Sequence, residues 1–362
     1  MLDTYTTSPL LNPEGAVLTD AGEVDRALTE MWDAGKGKDA TQQATRVCLA
    51  NLILVAHVDR WNELTAALGE LSPMYPTRTL AILLDDSVDG SVYAQVTSLC
   101  HAPRPGRPQI CSEQVVLRTA RDSARRLHHT VLALFEPDVP SFVWWMIDPG
   151  EARELFDGMR ETADRLIVDA GVAGFASVES GRRSVVREMG WPRMYRWRAL
   201  VAGLFDGTGP DTPERIDQIS IELLGDDPAD WIDGVWLIAF VGGQLGWQPE
   251  ACNGPGEWTF KTKFGTANVV MSQTPSPTPG LSRLSIRSMQ STFDIERCMD
   301  RPDEYRTIIC DQHICEMPRS VQIPRTDCTR AMAVVLRNRP LDKAFSRALP
   351  LAKWMISSQP VQ

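Results

Sequence analysis

The sequence predicts two domains: an α/β N-terminal domain with a mixed or mainly parallel sheet covered by helices, and an α+β C-terminal domain. Two N-terminal runs, at residues 47–56 and 77–84, are apolar almost throughout, as in strands that are buried on both faces. Helical patterns separate these runs, and such alternation indicates an α/β sheet. Beyond residue 215, several strand-like runs follow one another before the pattern returns to helix, which indicates an α+β domain.

The N-terminal domain is predicted to span residues 21–206, after a polar segment at 1–20 that we expect to be flexible. Apolar residues at helical spacing mark its helices, and short apolar runs mark its strands. In chain order, the pattern predicts helix 23–32, strand 47–56, helix 61–71, strands 77–84, 92–99, 110–117 and 140–146, helix 151–163, strand 165–169 and helix 193–205. The proline-rich residues 102–108 are predicted to form a loop.

A glycine and proline cluster at residues 206–213 marks the predicted domain boundary, so that the C-terminal domain spans 215–358. Its predicted elements are strand 219–223, helix 229–245, strands 258–263, 268–272, 281–289, 293–298 and 307–314, and helices 328–338 and 342–357. Hairpins rather than crossovers are expected to join the strands. The glycines at 242–246 end a helix, which indicates close packing and termination, because anions favour the amino end.

The composition is that of a globular protein, with 43% hydrophobic and 23% charged residues. The formal net charge of −10 argues against binding to nucleic acid or anionic membranes and favours a basic partner surface. The first residues show no signal-peptide pattern, and no apolar run is long enough to span a bilayer. Eight cysteines occur without a CxxC pair, as expected for a cytoplasmic protein with mostly reduced thiols.

The sequence contains no convincing catalytic constellation. Neither a Walker-type loop nor a G-x-G-x-x-G motif follows any predicted strand. His57 and His101 lie near strand ends without a serine or an acid fixed beside them, so structural roles are expected. His128 and His129 are neighbours on a helix and point in different directions, which disfavours a joint metal site. We therefore predict a protein that is not an enzyme and holds no metal or cofactor.

Tryptophan and arginine suggest a surface for a protein partner. Trp144 and Trp145 are adjacent in an extended run, so they face opposite sides of a strand, and the strand is either buried between two layers or presents one aromatic face to a partner. Arginines and aromatics also interleave between residues 182 and 198, a composition typical of interface hot spots. The interface candidates are the outward members of Trp144, Trp145, Trp191, Arg193, Trp197 and Arg198. A solvated helix face above core tryptophans is the alternative interpretation.

Cys310 and Cys315 form the only tight group of soft ligands, with His313 between them. In a fully extended segment, their Cα atoms would be about 16 Å apart, beyond disulfide reach, whereas a turn at residues 311–312 would bring them together. Inert thiols, a redox-sensitive pair, and a zinc site completed by Cys298 or Cys328 therefore remain as alternatives.

Several blocks of the sequence, in order, resemble the family of glucose-6-phosphate dehydrogenase assembly proteins named OpcA. The blocks are residues 46–55 (RVCLANLILV), 76–80, 111–115, 137–145 (PDVPSFVWW), 163–169 and 191–206. The resemblance implies a non-catalytic partner that promotes assembly and activity of the first dehydrogenase of the oxidative pentose phosphate pathway. In photosynthetic members it also implies thioredoxin control through cysteines toward the carboxyl end, with Cys310 and Cys315 as candidates here.

Two functions follow as hypotheses. The first is an assembly factor and allosteric activator in carbohydrate metabolism that contacts glucose-6-phosphate dehydrogenase, with thioredoxin as a further partner. The second is an enzyme or sensor that binds a sugar phosphate through Arg78, Glu113 and Gln114, which lie near strand ends, where α/β folds place ligands.

Overall fold

The computed structural model describes residues 17–34, 44–101, 109–174, 184–298, 300–337 and 342–359. The chain forms two compact units, of which the first comprises residues 1–188 with 328–338 and the second comprises 189–327 with 339–362. The predicted boundary at 206–213 therefore lies inside the second unit. Glycine and proline marked a loop there, whereas the first sheet already ends at Glu188. The predicted helix at 328–338 also belongs to the first unit rather than to the C-terminal domain.

Twelve α-helices occur in the described part of the chain. They are α1 (Val24–Ala34), α2 (Trp61–Leu71), α3 (Arg121–Ala124), α4 (His128–Ala133), α5 (Arg153–Thr162), α6 (Ala170–Ala173), α7 (Gly190–Arg193), α8 (Tyr195–Gly203), α9 (Asp211–Glu214), α10 (Pro228–Leu245), α11 (Cys328–Arg337) and α12 (Lys343–Ser357). Among the described residues, none of these helices is long and apolar enough to cross a membrane.

The first unit is built on a nine-stranded sheet. Its strands are β1 (Val17–Asp20), β2 (Ala44–Arg46), β3 (Asn51–His57), β4 (Arg78–Leu84), β5 (Tyr93–His101), β6 (Gln109–Thr119), β7 (Ser141–Trp145), β8 (Arg165–Val168) and β9 (Val185–Glu188). The order along the sheet is β1-β5-β6-β4-β3-β7-β8-β9, with β2 beside β6. The six strands from β6 to β9 are parallel and follow the order 3-2-1-4-5-6 of the doubly wound Rossmann fold. β1 and β5 extend this sheet as antiparallel strands.

Burial explains why the central strands are apolar except at their ends. All seven residues of β4 are buried, as are the first six of β3. Each fully buried valine, leucine or isoleucine contributes about 1.5–3 kcal/mol relative to an exposed one. The predicted central strands are thus present, although β3 begins at Asn51 rather than at residue 47. The segment predicted to be flexible contains β1 at residues 17–20, while residues 1–16 and the predicted loop 102–108 lie outside the described residues.

The second unit contains an eight-stranded sheet. Its strands are β10 (Ile216–Leu224), β11 (Gln248–Gly254), β12 (Glu257–Thr262), β13 (Gly265–Thr274), β14 (Gly280–Ser288), β15 (Ser291–Cys298), β16 (Arg301–Cys310) and β17 (Arg319–Gln322). The order along the sheet is β11-β12-β13-β10-β14-β15-β16-β17. Of the seven neighbouring strand pairs, one is parallel, β10 with β13. The expectation of hairpins alone was therefore wrong, because α10 and a hairpin form a crossover between these two strands.

Helix α10 is the central helix of the second unit. Its amino end is capped by Asp227, whose side chain accepts a hydrogen bond from the amide of Ala229, and Pro228 occupies the first turn. The helix ends at Gly246, which has a φ of 70°. A Cβ at Gly243 would lie 2.8 Å from the backbone of Arg347, so this glycine permits the close approach of α12. The predicted roles of this cluster in packing and termination are confirmed.

Candidate functional site

The first sheet has a topological switch point between β3 and β7, where doubly wound folds bind their ligands. In dinucleotide-binding members, a glycine-rich turn after the first parallel strand lets backbone amides approach the pyrophosphate. Here that turn reads His57-Val58-Asp59-Arg60 and contains no glycine. Asp59 also lies at the amino end of α2, so it places negative charge where the phosphates would sit. This turn is not built for a dinucleotide.

Ion pairs connect the segments that follow the carboxyl ends of the parallel strands. His57 Nε2 lies 3.1 Å from Glu151, and Arg121 contacts the same carboxylate at 2.9 Å. Arg121 also pairs with Asp86 at 3.1 Å. Because Glu151 is shared between a histidine and an arginine, it clamps the turn after β3 to the segment after β7. The predicted structural role of His57 is consistent with this arrangement.

The proposed sugar-phosphate residues Arg78, Glu113 and Gln114 are close together, but they lie at the opposite edge of the sheet. Arg78 begins β4 and Glu113 lies in the first half of β6, so both are near the amino ends of parallel strands. Ligands of this fold bind at the carboxyl ends. The expected ligand position was therefore wrong, because the sequence indicated strand ends without distinguishing one end from the other.

Glu113 is the centre of a buried network at this amino edge. It accepts hydrogen bonds from Arg78 Nε at 2.7 Å and from Trp32 Nε1 at 2.7 Å, and Arg46 pairs with it at 2.8 Å. Glu136 contacts Arg78 at 2.9 Å and also pairs with Arg46. The Glu113 side chain is only 3% exposed. Its oxygens are thus occupied by neighbouring side chains, which indicates a structural role.

Trp144 and Trp145 are both buried, with exposed fractions of 2% and 0%. Their strand β7 lies between β3 and β8, and layers cover both of its faces. Trp145 packs edge-on against Phe156 of α5, with ring centroids 4.9 Å apart. Neither tryptophan faces outward, so of the two alternatives the strand buried between two layers is the one observed.

Trp191 lies in the core of the second unit. Its ring packs edge-on against Trp236 at 5.3 Å and against Phe345 at 5.5 Å, and its indole nitrogen donates to Asp342 at 2.8 Å. The Arg198 guanidinium lies 3.6 Å from the centre of the Trp191 ring. Burial lowers the pKa of Arg198 to about 10, although Asp342 opposes this shift. Arg198 therefore belongs to this aromatic cluster rather than to an open surface.

Arg193 and Trp197 are also buried, at 8% and 5% exposed. Arg193 Nε donates to both oxygens of Asp233 on α10, at 2.9 and 3.2 Å. Trp197 packs edge-on against Tyr305 at 4.7 Å. Tryptophan and arginine are enriched both in interfaces and in buried clusters, so composition alone could not separate the two. The structure places these candidates in the core, which corrects the expected contact surface.

Cys310 and Cys315 form a disulfide across a turn at the end of β16. The Asp311 side chain accepts hydrogen bonds from the amides of His313 and Ile314 at 2.7 and 2.8 Å, which fixes the turn. These bonds to the carboxylate lower the pKa of Asp311. The strand predicted to run to residue 314 instead reverses after Cys310, so inert thiols are not the form seen here.

A second disulfide joins Cys100 of β5 to Cys111 of β6, which are directly opposite each other on antiparallel strands. The sequence analysis missed it, although two strand-like runs joined by a short loop could have suggested the pairing. Cys298 and Cys328, considered as zinc ligands, take part in neither disulfide and are partly buried. In the part of the chain that the structure describes, no three His, Cys, Asp or Glu residues form a group that could hold a metal ion.

Two large apolar side chains, one in the disulfide turn and one just after it, are exposed, and neither was predicted from the sequence. Ile314 is 71% exposed and Met317 is 85% exposed. Met317 lines a groove of about 240 Å³ together with apolar residues of α8, β16 and β17. The lining apolar residues are Ala199, Leu200, Leu204, Ile309, Met317 and Val321.

These observations define a class of protein: a Rossmann-type unit without its dinucleotide-binding turn, followed by a unit built on a mixed sheet. Two family profiles match consecutive parts of the chain. Residues 69–184 match the glucose-6-phosphate dehydrogenase subunit N-terminal domain, and residues 184–349 match the C-terminal domain of the same subunit. The chain belongs to the OpcA family, as the resemblance predicted.

Two curated relatives are described as OxPP cycle proteins OpcA. The protein of Synechocystis sp. is 26% identical over 190 residues, covering 48% of this chain and 38% of the relative. The protein of Synechococcus elongatus is 25% identical over 250 residues, covering 62% of this chain and 51% of the relative. The matched regions thus span about half the length of these relatives or less.

Comparison with solved structures finds matches at low sequence identity. A protein of Parabacteroides merdae, described as an oxidoreductase, has a TM-score of 0.50 at 10% identity, covering 86% of this chain and 96% of that one. The 3-ketoreductase KijD10 of Actinomadura kijaniata has a TM-score of 0.49 at 12% identity, covering 86% of this chain and 97% of that one. These similarities concern the fold alone.

Proposed function

We propose that this chain is a non-catalytic assembly factor and allosteric activator of glucose-6-phosphate dehydrogenase, acting in the cytoplasm by protein–protein contact. The family's link to that dehydrogenase supports the partner. The observation that carries the non-catalytic part is the turn after β3, which lacks glycine and places Asp59 where a dinucleotide's phosphates would bind. Hydride transfer to or from a sugar would require that cofactor.

An activator of this kind works by binding one state of the enzyme more tightly than another. A tenfold shift between states requires about 1.4 kcal/mol of differential affinity, which two or three well-packed side chains can supply. The tryptophans predicted as anchors are buried, so the contact surface must lie elsewhere.

For the contact surface we propose the exposed apolar patch of Ile314 and Met317, with the groove beside it. Methionine is enriched in protein interfaces, because its flexible side chain adapts to a partner. Ile314 lies inside the disulfide-closed turn, so little backbone entropy would be lost there on binding, and Met317 follows two residues after Cys315. An apolar segment of the dehydrogenase fits such a groove.

The association is tested by mixing the purified chain with the dehydrogenase and measuring complex mass by size-exclusion chromatography with light scattering. The double variant Ile314→Ser with Met317→Ser is expected to weaken the complex at least tenfold, since it removes two apolar anchors. Met289→Ser is the matched control, because Met289 is 58% exposed at a different turn of the same unit. Equal affinity of the double variant and the control would remove this patch from the account, and absence of any complex would contradict the proposed partner.

Redox control through Cys310 and Cys315, with thioredoxin as the reductant, is a further part of the proposal. Reduction opens the ring that holds Ile314 outward, so activation of the dehydrogenase is expected to differ between oxidised and reduced protein. In Cys315→Ser the difference should disappear, whereas Cys111→Ser, which removes the other disulfide, should retain it. Activation is measured after incubation with an oxidant or with reduced thioredoxin. A redox response that survives in Cys315→Ser would exclude this pair as its source.

A further inference from the structure

The second unit contains a cavity of about 290 Å³, and the former interface candidates Arg193 and Trp197 contribute to its lining. It lies at the carboxyl end of β10, beside the first turns of α10. Trp197, Tyr305 and several prolines form its apolar walls, and acidic and basic side chains line the remainder. Small-molecule sites usually measure about 300–1,000 Å³, so this cavity suits a compact ligand and is too small for a dinucleotide.

One wall of the cavity presents a hydrogen-bond acceptor that lacks a donor. The Asp230 side chain is only 4% exposed, and its Oδ1 accepts from Arg325 at 2.9 Å. Its Oδ2 is buried and has no hydrogen-bond partner among the described residues. Burial raises the pKa of this carboxyl, as expected for a carboxylate with too few donors. A ligand hydroxyl would supply the missing donor.

A fixed cation lies in the same cavity. Arg297 donates from Nε to the Tyr305 hydroxyl at 3.2 Å, and its two terminal nitrogens donate to the carbonyls of Thr278 and Pro279 at 3.0 and 3.2 Å. These neutral acceptors orient the guanidinium without neutralising it. No carboxylate lies within ion-pair distance of Arg297 among the described residues, although the charge of Arg297 lowers the pKa of Asp230. The unused donors of Arg297 suit an anion, and phosphate matches the guanidinium geometry.

Two glycines make room for these charged groups. Gly280 has a φ of 113°, and a Cβ there would lie 2.8 Å from Arg297 Nη2. Gly225 has a φ of 100°, and a Cβ there would lie 2.7 Å from Pro279 Cβ and 3.3 Å from Asp230 Oδ2. The last register pair of β10 and β14 joins Leu224 to Gly280, so the two glycines lie close together. The backbone is thus shaped around the carboxylate and the guanidinium.

We propose that this cavity binds a small polyhydroxylated anion, of the chemical class of sugar phosphates. A ligand hydroxyl would donate to Asp230 Oδ2, the phosphate would accept from Arg297, and the apolar face of the sugar would pack against Trp197 and Tyr305. This site goes beyond the proposed function, since contact with a protein partner requires no small molecule. It also differs from the predicted sugar-phosphate site at Arg78, Glu113 and Gln114.

The test is isothermal titration calorimetry of the full chain with glucose 6-phosphate, glucose and inorganic phosphate in turn. Wild-type protein is expected to bind glucose 6-phosphate more tightly than either fragment. Arg297→Gln should weaken the binding of glucose 6-phosphate and of inorganic phosphate by at least tenfold. Asp230→Asn should weaken the binding of glucose 6-phosphate but not that of inorganic phosphate, because it removes a negative charge from the cavity. Arg287→Gln is the matched control, because Arg287 lies on the neighbouring strand β14 and pairs with Asp217 at 2.8 Å outside the cavity.

Absence of measurable glucose 6-phosphate binding by wild-type protein would overturn the proposal. Equal affinity of wild type, Arg297→Gln and Asp230→Asn for glucose 6-phosphate would overturn it as well. An affinity for glucose as high as that for glucose 6-phosphate would have the same consequence. Circular dichroism of each variant separates lost binding from lost folding. Because no dehydrogenase is present, failure of this test leaves the assembly proposal standing, and failure of the association test leaves this site standing.

Discussion

Replacing Glu113 by glutamine is expected to lower the free energy of unfolding by about 3 kcal/mol, as when one partner of a buried ion pair is removed. The carboxylate holds Arg78 and Arg46 and accepts from the Trp32 indole. Glutamine would leave the buried Arg78 with Glu136 as its remaining acidic partner and would direct an amide group at two guanidinium groups. The loss is measured as the shift in urea denaturation followed by circular dichroism.

Glu154→Gln is the matched control for this experiment. Glu154 is 65% exposed and lies 3.9 Å from Arg125, and exposed pairs contribute about 0–1 kcal/mol. If Glu113→Gln lowered the free energy of unfolding as little as this control, the network at the amino edge would be dispensable for folding. The interpretation of Arg78 and Glu113 as structural would then be incorrect, and a ligand role at that edge would be favoured again.

Replacing Trp191 by alanine is expected to destabilise the second unit by about 3–5 kcal/mol, the range for removing a large aromatic side chain from a core. The change opens a cavity among Trp236, Phe240 and Phe345, and it removes the ring under the Arg198 guanidinium. Urea denaturation followed by circular dichroism measures the loss. If Trp191 were instead an anchor for the partner, the substitution would weaken the complex and leave the free energy of unfolding unchanged.

Tyr195→Ala is the control here, because Tyr195 is 37% exposed at the start of the neighbouring helix α8. Its loss should cost less than about 1 kcal/mol, as for most surface substitutions. Should Trp191→Ala prove equally mild while abolishing contact with the dehydrogenase, the assignment of Trp191 to the core would be wrong and the original interface prediction correct.

Patterns of hydrophobicity were sufficient to predict the main elements of both units. Uniformly apolar runs gave β3 and β4, since strands buried on both faces need no polar positions. Alternating burial along β13 likewise matches a strand with one covered face. The domain boundary was not predictable in this way, because α11 returns to the first unit although it follows the second along the chain. No local pattern records such a return.

The candidate sites depended on which side chains face solvent, and sequence composition does not contain this information. Trp144 and Trp145 show the problem, since a tryptophan in a strand has the same sequence pattern whether it meets a partner or another layer of the same unit. The pairing of Cys310 with Cys315 depends on a turn, and two hydrogen bonds to the Asp311 carboxylate fix that turn. The cavity in the second unit brings together Asp230 of α10 and Arg297 of β15, which are 67 positions apart in the sequence and share no motif.

The most direct measurement of the central claim is the rate of NADPH formation from glucose 6-phosphate, followed by the absorbance of the reduced cofactor. The rate is measured for the dehydrogenase alone, for this chain alone, and for the mixture. We expect no turnover by this chain alone, and a lower apparent KM or a higher kcat for the dehydrogenase in the mixture. Turnover by the isolated chain, or identical kinetics of the dehydrogenase with and without it, would contradict the account.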